Sequence, residues 1–311
     1  MPARRTLLLA AGALALGTLG LAGCSSGDPL AADTPRSSGS ASGGSIVVGS
    51  AAFPENEILA YVYAGALNAN GIQASVKPNI GARDVYLAAL TDGSIDLVPE
   101  YTGNLLQYYD AGTTALSSEQ VYAELQSALP AGFQVLEQAQ AQDADSYNVT
   151  EQFSQQYGVT SLADLKKVPI PLSVAANPEF ATRPYGIPGL KEVYGVDATL
   201  VPVSDSGGPN TLKALLDGQV QLADIYSTTP SIAQNKLVTL EDPEHLILAQ
   251  NVVPLISSAK ASDKVAQVLN TVQRALTTED LIAMNTKSSG DAKESAQQIA
   301  SEWLSQKKLF G

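Results

Sequence analysis

A single histidine, His245, and a single cysteine, Cys24, bound the covalent and metal chemistry open to this 311-residue chain. A catalytic serine needs a base held beside it. His245 lies in Glu241-Asp242-Pro243-Glu244-His245, which reads as a polar turn. No Gly-x-Ser-x-Gly turn occurs anywhere. Ser257-Ser258-Ala259-Lys260 and Ser305-Gln306-Lys307-Lys308 match Ser-x-x-Lys, but no Ser-Asp-Asn or Lys-Thr-Gly accompanies them. Asp143-Ala144-Asp145 lacks the glycine and distal glutamate of a calcium loop. One histidine with one cysteine does not make a zinc site. The sequence predicts no catalytic residue, no metal and no cofactor. An extracellular enzyme would have to depend on His245.

Tyrosine is the more informative residue. The chain has 12 Tyr against 5 Phe and 1 Trp. Electron-rich ring faces attract cations, and quaternary ammonium groups suit them because a trimethylated nitrogen donates no hydrogen bond. Two tyrosines close a repeat. The stretch from Leu87 to Tyr101 recurs 125 residues later from Leu212 to Tyr226, with seven of fifteen positions identical. Each copy reads as a helix end, a glycine C-cap, a buried strand, and a tyrosine where the strand runs out. Ligands of open α/β sheets bind beyond the carboxyl ends of strands. Two related lobes would therefore each offer a tyrosine, Tyr101 and Tyr226, to a shared cleft. Tyr147 falls at a predicted crossover. Tyr61, Tyr63, Tyr86, Tyr122 and Tyr194 sit among Ala and Leu at helical spacing and read as packing.

Strand signals over 46–49, 74–77, 94–98, 134–138, 170–175, 198–203 and 220–225 alternate with helical stretches over 55–68, 84–91, 119–128, 161–165 and 210–216. A mostly helical tail follows over 263–308. That alternation predicts an α/β class with largely parallel sheets. The length suits two lobes of about 100–150 residues. Residues 46–146 plus 227–311 are expected to form lobe I and 147–226 lobe II, with the hinge close to Tyr147 and Tyr226.

The N-terminus reads as a leader over 1–23. Arg4 and Arg5 precede an apolar run over 7–21, which is short beside the about 20 residues a membrane span needs. Leu21-Ala22-Gly23-Cys24 resembles the bacterial lipobox, in which the cysteine is acylated and becomes the mature N-terminus. Export by either the general or the twin-arginine route fits. Residues 24–45 are rich in Ser, Gly, Ala and Pro and read as a flexible tether. Net charge is −13, and loss of Arg4 and Arg5 leaves 16 basic against 31 acidic residues. No basic patch is visible, which argues against nucleic acid as a partner.

Five blocks carry a family resemblance: Gly49-Ser50-Ala51-Ala52-Phe53-Pro54-Glu55, Asp96-Leu97-Val98-Pro99-Glu100-Tyr101-Thr102-Gly103, Asn177-Pro178-Glu179-Phe180-Ala181-Thr182-Arg183, Gly189 to Gly195, and Asp224-Ile225-Tyr226-Ser227-Thr228. In this order they resemble the substrate-binding lipoproteins of ABC importers for glycine betaine, choline and carnitine, from Ile46 onward. The resemblance implies an α/β, two-lobed type II periplasmic-binding-protein fold with two hinge crossovers. It implies a lipid-anchored receptor on the extracytoplasmic face of the bacterial cell membrane, delivering a quaternary-ammonium solute to permease subunits. Tyr101, Tyr147 and Tyr226 then correspond to cage aromatics, Arg183 to the residue binding a ligand carboxylate, and Asn104 to a further carboxylate contact. Phe53, Glu179 and Ser206 are candidates for secondary contact or closure. Two positions depart from the family. Ala51 stands where a lysine is frequent, and Leu212 or the Asp205-Ser206-Gly207-Gly208 loop where a further cage tyrosine is common. A receptor for a different zwitterion, such as an aromatic amino-acid betaine, or a non-transporting sensor or cell-surface protein also fits.

Overall fold

The computed structural model describes residues 44–310. The predicted leader, Cys24 and nearly all of the predicted tether lie outside them.

The chain opens with β1 (Ile46–Gly49), α1 (Pro54–Ala69), β2 (Ala74–Lys77), α2 (Arg83–Thr91), β3 (Leu97–Tyr101), α3 (Thr102–Tyr109), α4 (Ser118–Ala128) and β4 (Phe133–Val135). It then builds β5 (Tyr147–Val149), α5 (Glu151–Tyr157), β6 (Leu172–Ala176), α6 (Ile187–Tyr194), β7 (Ala198–Pro202), α7 (Pro209–Leu216), β8 (Leu222–Asp224), α8 (Ser231–Gln234) and β9 (Val238–Thr239). Finally it returns through β10 (Val252–Ser257), α9 (Asp263–Ala275), α10 (Thr278–Ser289) and α11 (Ala296–Lys307).

Two five-stranded sheets result, ordered β2-β1-β3-β10-β4 and β7-β6-β8-β5-β9. In each, three strands are parallel, and a strand that has just crossed from the other lobe runs antiparallel: β10 beside β3, and β5 beside β8. The sheets are thus mixed rather than largely parallel. The fold is the two-lobed α/β arrangement of type II periplasmic binding proteins. The repeat is visible in it, because β3 and β8 hold equivalent places and end toward the interlobe gap.

The elements follow from local signals. Pro54 opens α1, with Glu55 and Glu57 in its first turn. Ile58, Leu59, Val62, Tyr63 and Leu67 are wholly buried, as suits a helix enclosed in a lobe core. Thr277 and Asp280 cap α10 reciprocally, and Ser262 Oγ accepts from Val265 N at the start of α9. The stretch predicted as a short helix over 161–165 is instead a 3-10 helix, Leu162–Lys167, with Ser161 N donating to Asp164.

The return to lobe I lies later than predicted. β9 pairs with β5, and Leu240 and Leu246 belong to the lobe II core. The reason is that β5 has a free edge after pairing with β8, and a second antiparallel strand fills it. The crossing segments are residues 139–146 and 248–252. Ala139 N donates to Val252 O (2.8 Å), Val252 N to Ala141 O (3.0 Å) and Asp143 N to Gln250 O (3.1 Å). The first segment then turns to 225–227, with Ile225 N donating to Ser146 O and Ser227 N to Ala144 O.

Gly103 lets α3 lie against the second crossover. A Cβ there would stand 2.6 Å from Gln250 Nε2 and 2.7 Å from Ala249 O. Gly103→Ala is expected to destabilise the protein by about 1–3 kcal/mol, the usual cost of overpacking. The measurement is the urea midpoint, which should fall at an unchanged m-value.

Candidate functional site

A cleft of about 260 Å³ lies between the lobes, beside the crossovers. Three rings from separate parts of the chain form one wall. Phe53, the residue before α1, holds its ring 5.3 Å from Tyr226, edge-on, and 6.0 Å from Tyr101. Tyr101 ends β3 and Tyr226 lies two residues beyond β8. The two repeat tyrosines do meet at one cavity, joined through Phe53. Tyr86 and Tyr185 also line it.

Tyr147 lies elsewhere. It is 1% exposed, packs 5.5 Å from Phe180 in the lobe II core, and donates its hydroxyl to the Tyr185 carbonyl at 2.9 Å. The residue expected to wall the cavity instead supports the backbone of one that does. Tyr86, read from sequence as packing, reaches the cavity and donates to Glu100 Oε1 at 2.6 Å. Tyr185 carried no sequence signal beyond following Arg183 by two residues.

Arg183, Asn104, Glu179 and Ser206 all line the cavity. Among the described residues Arg183 makes no ion pair. Its guanidinium carbon stands 5.8 Å from the ring centre of Tyr108 on α3, so it reaches from lobe II to lobe I. Asn104 is otherwise engaged: Nδ2 donates to Asp145 Oδ2 (2.6 Å) and Oδ1 accepts from Gln250 Nε2 (2.7 Å). One of its two amide protons thus faces an acid. Ser206 N donates to Asn177 Oδ1 (3.1 Å). The loop that lacks a fourth tyrosine has its own task, because Asp205 accepts from Asn210 N (2.6 Å) and Thr211 N (3.2 Å) at the start of α7. Leu212 packs against the apolar cluster of Ala214, Leu215 and Val220. Ala51 is buried in the cavity wall, with its N–H donating to Asn56 Oδ1 (2.8 Å).

Sequence reasoning missed the charges. Arg83, the first residue of α2, forms a bidentate pair with buried Glu100, Nε to Oε1 at 2.9 Å and Nη2 to Oε2 at 3.0 Å. Asp143, Asp145 and Asp224 line the cavity, and Glu55 lies just behind Tyr101. Glu55 accepts from Tyr101 Oη (2.7 Å), Thr228 Oγ1 (2.6 Å) and Asn285 Nδ2 (2.7 Å). Asp143 Oδ1 accepts from Thr228 N (3.0 Å) and Ser227 Oγ (3.2 Å). Burial raises the pKa of all four carboxyls above the ordinary carboxylate range. The Asp-x-Asp spacing beside a predicted crossover was the available signal, and comparison with a calcium loop discarded it. No metal-holding group of three His, Cys, Asp or Glu exists among the described residues. His245 lies on an exposed turn outside the cavity lining.

Comparison with known proteins agrees with this architecture. Residues 44–306 match the family model described as the substrate binding domain of ABC-type glycine betaine transport system. The chain is 26% identical over 276 residues to the glycine betaine-binding protein YehZ of Escherichia coli, covering 84% of this chain and 90% of that protein. A glycine betaine/carnitine/choline ABC transporter structure superposes with a TM-score of 0.68 at 18% identity, covering 86% of this chain and all of the other. Lactococcal OpuAC, closed around glycine betaine, gives a TM-score of 0.60 at 15% identity, covering 86% and 99% of the respective chains.

The four raised carboxyls set the direction of pH dependence. Each binds its proton more tightly in the folded than in the unfolded chain, so stability falls as pH rises from the ordinary carboxylate range toward the raised values. The lowered carboxyls, such as Asp92 and Glu279, act only at more acid pH. The ligand-free protein is expected to melt at higher temperature near pH 5 than near pH 8. A melting temperature flat or rising across that window would count against the acid wall.

Proposed function

This chain belongs to the family of substrate-binding domains of ABC-type glycine betaine transport systems, and on that footing we propose that it captures a quaternary-ammonium solute between its lobes for delivery to permease subunits. The family consists of solute-binding receptors, which places the domain on the extracytoplasmic side and gives no grounds for catalysis. The observation that carries the ligand assignment is the convergence of Phe53, Tyr101 and Tyr226 on one interlobe cavity.

A trimethylammonium group cannot use hydrogen-bond acceptors directionally, but ring faces and nearby negative charge both lower its energy. Phe53, Tyr101 and Tyr226, with Tyr185 on the same cavity, supply the rings, and Asp143, Asp145 and Asp224 the field. Arg183 is the guanidinium free to take a ligand carboxylate, since Arg83 is already paired with Glu100. Closure follows from contacts made by both lobes on one ligand. A second reading, favoured by the three aspartates, is a solute of net positive charge without a carboxylate, of the choline kind.

Calorimetry of the mature protein against glycine betaine, choline, carnitine and their unmethylated counterparts tests this. A preference for the methylated compounds is expected. Phe53→Ala and Tyr226→Ala should each weaken binding about 5- to 30-fold, at ~1–2 kcal/mol per desolvated cation–π contact. Tyr122→Ala should not, since that tyrosine lies outside the cavity and donates to the Leu136 carbonyl. Arg183→Ala should cost glycine betaine and carnitine about 10- to 100-fold, as expected for a charge-assisted bond, and choline far less. Failure of every methylated ammonium to bind would end the proposal.

The Cys24 motif supports attachment to the membrane through an acylated N-terminus. Cys24→Ala is expected to move the protein from the membrane fraction to the soluble one, read by fractionation.

A further inference from the structure

The floor of the cleft is made by two carboxyls that the binding of an ammonium group by aromatic rings does not require. Asp145 lies on the first crossover and Asp224 ends β8, and both are more than nine-tenths buried, at 8% and 3% exposure. Ser146 N donates to Asp224 Oδ1 and Ile225 N to Ser146 O, which sets Asp145, the residue before Ser146, beside the end of β8, and both carboxyls line the same cavity. Asp145 Oδ2 accepts from Asn104 Nδ2 and Asp224 Oδ1 from Ser146 N (3.2 Å), while Asp145 Oδ1 and Asp224 Oδ2 accept nothing from the described residues. Two neighbouring carboxyls buried in one cavity oppose each other's ionisation, and a proton held by the pair relieves that repulsion.

We propose that Asp145 and Asp224 form a proton-exchanging cation subsite, in which a bound ammonium replaces the shared proton and sends it to solvent. This rests on the ligand carrying a positive charge, as proposed above.

The surrounding charges fit such an exchange. Arg83 faces the pair but is neutralised by its fork with Glu100. Arg183 stands at the Tyr108 side of the cavity. Asp143 faces the pair from the same crossover strip and, with Glu55 behind it, adds negative charge of the same sign. Tyr147, Tyr185 and Tyr226 surround the pair, and their hydroxyls stay neutral at working pH because burial raises their pKa values. Among the described residues neither arginine donates a hydrogen bond to the pair: Arg83 is held by Glu100, and Arg183 lies against the Tyr108 ring. Burial likewise holds the pair's own proton above the ordinary carboxylate range.

The sign follows by linkage. The empty site holds a proton that the occupied site does not, so binding strengthens with rising pH until the empty pair ionises on its own. Choline is the clean probe, since it has no group that titrates between pH 5 and 8.

The test is calorimetry of choline binding to the mature protein at pH 6, in two buffers of different ionisation enthalpy, with the dissociation constant followed from pH 5 to 8. The expected result is net proton release on binding, and a dissociation constant that falls as pH rises within the window, by at most about tenfold per pH unit for one proton released. Asp224→Asn, which keeps an acceptor for Ser146 N, should abolish proton release and flatten the pH profile. If that variant does not fold, Asp145→Asn serves the same purpose, and the wild-type proton count stands without either. Asp164→Asn, an acid outside the cavity, should leave the profile unchanged. Binding with equal enthalpy in both buffers and a pH-independent constant would overturn this proposal alone. Absence of binding by any ammonium solute would overturn both it and the receptor assignment.

Discussion

The cleft depends on one strip of chain, residues 139–146, which is hydrogen-bonded to the returning crossover along its first half and to residues 225–227 along its second. Extended backbone directs alternate side chains to opposite faces. Pinning the strip therefore fixes where Asp143 and Asp145 point, and the lining of the cavity shows that both reach it. The cost of burying them is met partly by local donors: Ser227, the Thr228 N–H and Asn104. What those donors leave unmet is negative potential in a low-dielectric space, the condition under which a monocation is held most strongly.

The second constraint is the Arg83–Glu100 fork, which gives each residue of Pro99-Glu100-Tyr101-Thr102-Gly103 a task. The Pro99 carbonyl accepts from Asn56 Nδ2 (3.0 Å). Glu100 holds Arg83, the Tyr86 hydroxyl and the Tyr101 N–H together, which fixes the end of β3 and the ring that follows it. Thr102 Oγ1 donates to the Ala249 carbonyl and accepts from Asn251 N, tying α3 to the second crossover. Gly103 allows that approach. Removing one partner of a buried pair leaves the other charge uncompensated, so the fork keeps the Arg83 charge fixed while Glu100 holds the backbone of Tyr101 in place.

The sequence was a good guide to whatever repeats or is periodic. The 125-residue repeat located β3, β8 and their tyrosines, and the α/β alternation predicted the two-sheet architecture. Resemblance to a family pointed to Arg183, which lines the interlobe cavity. It set Tyr147 at the cavity, whereas that residue, the first of β5, packs in the lobe II core and donates to the Tyr185 carbonyl. Nothing local distinguishes a ring facing a cavity from a ring one step deeper. The acids were illegible for a related reason. Asp224 and Glu55 are distant in sequence from Asp143 and Asp145, and only the pairing of 144–146 with 225–227 brings Asp224 to them. The late return to lobe I was hidden because β9 is two residues long and has no alternating pattern of its own.

Ligand capture and lobe closure are coupled through the same few groups. Arg183 already bridges the lobes by lying over Tyr108, and Phe53 touches rings from both repeats, so the empty cleft has weak cross-lobe contacts of its own. A ligand changes the conformational balance only through contacts that differ between open and closed forms. The proposed ammonium group between Phe53, Tyr101 and Tyr226 would be such a contact, because those rings belong to both lobes. The aspartates act differently. Asp143 and Asp145 ride on the hinge strip itself, and their charge attracts the cation whether the lobes are open or closed. In the proposed function the acid wall would therefore set how readily a cation enters, while the rings and Arg183 would set how far its arrival closes the cleft.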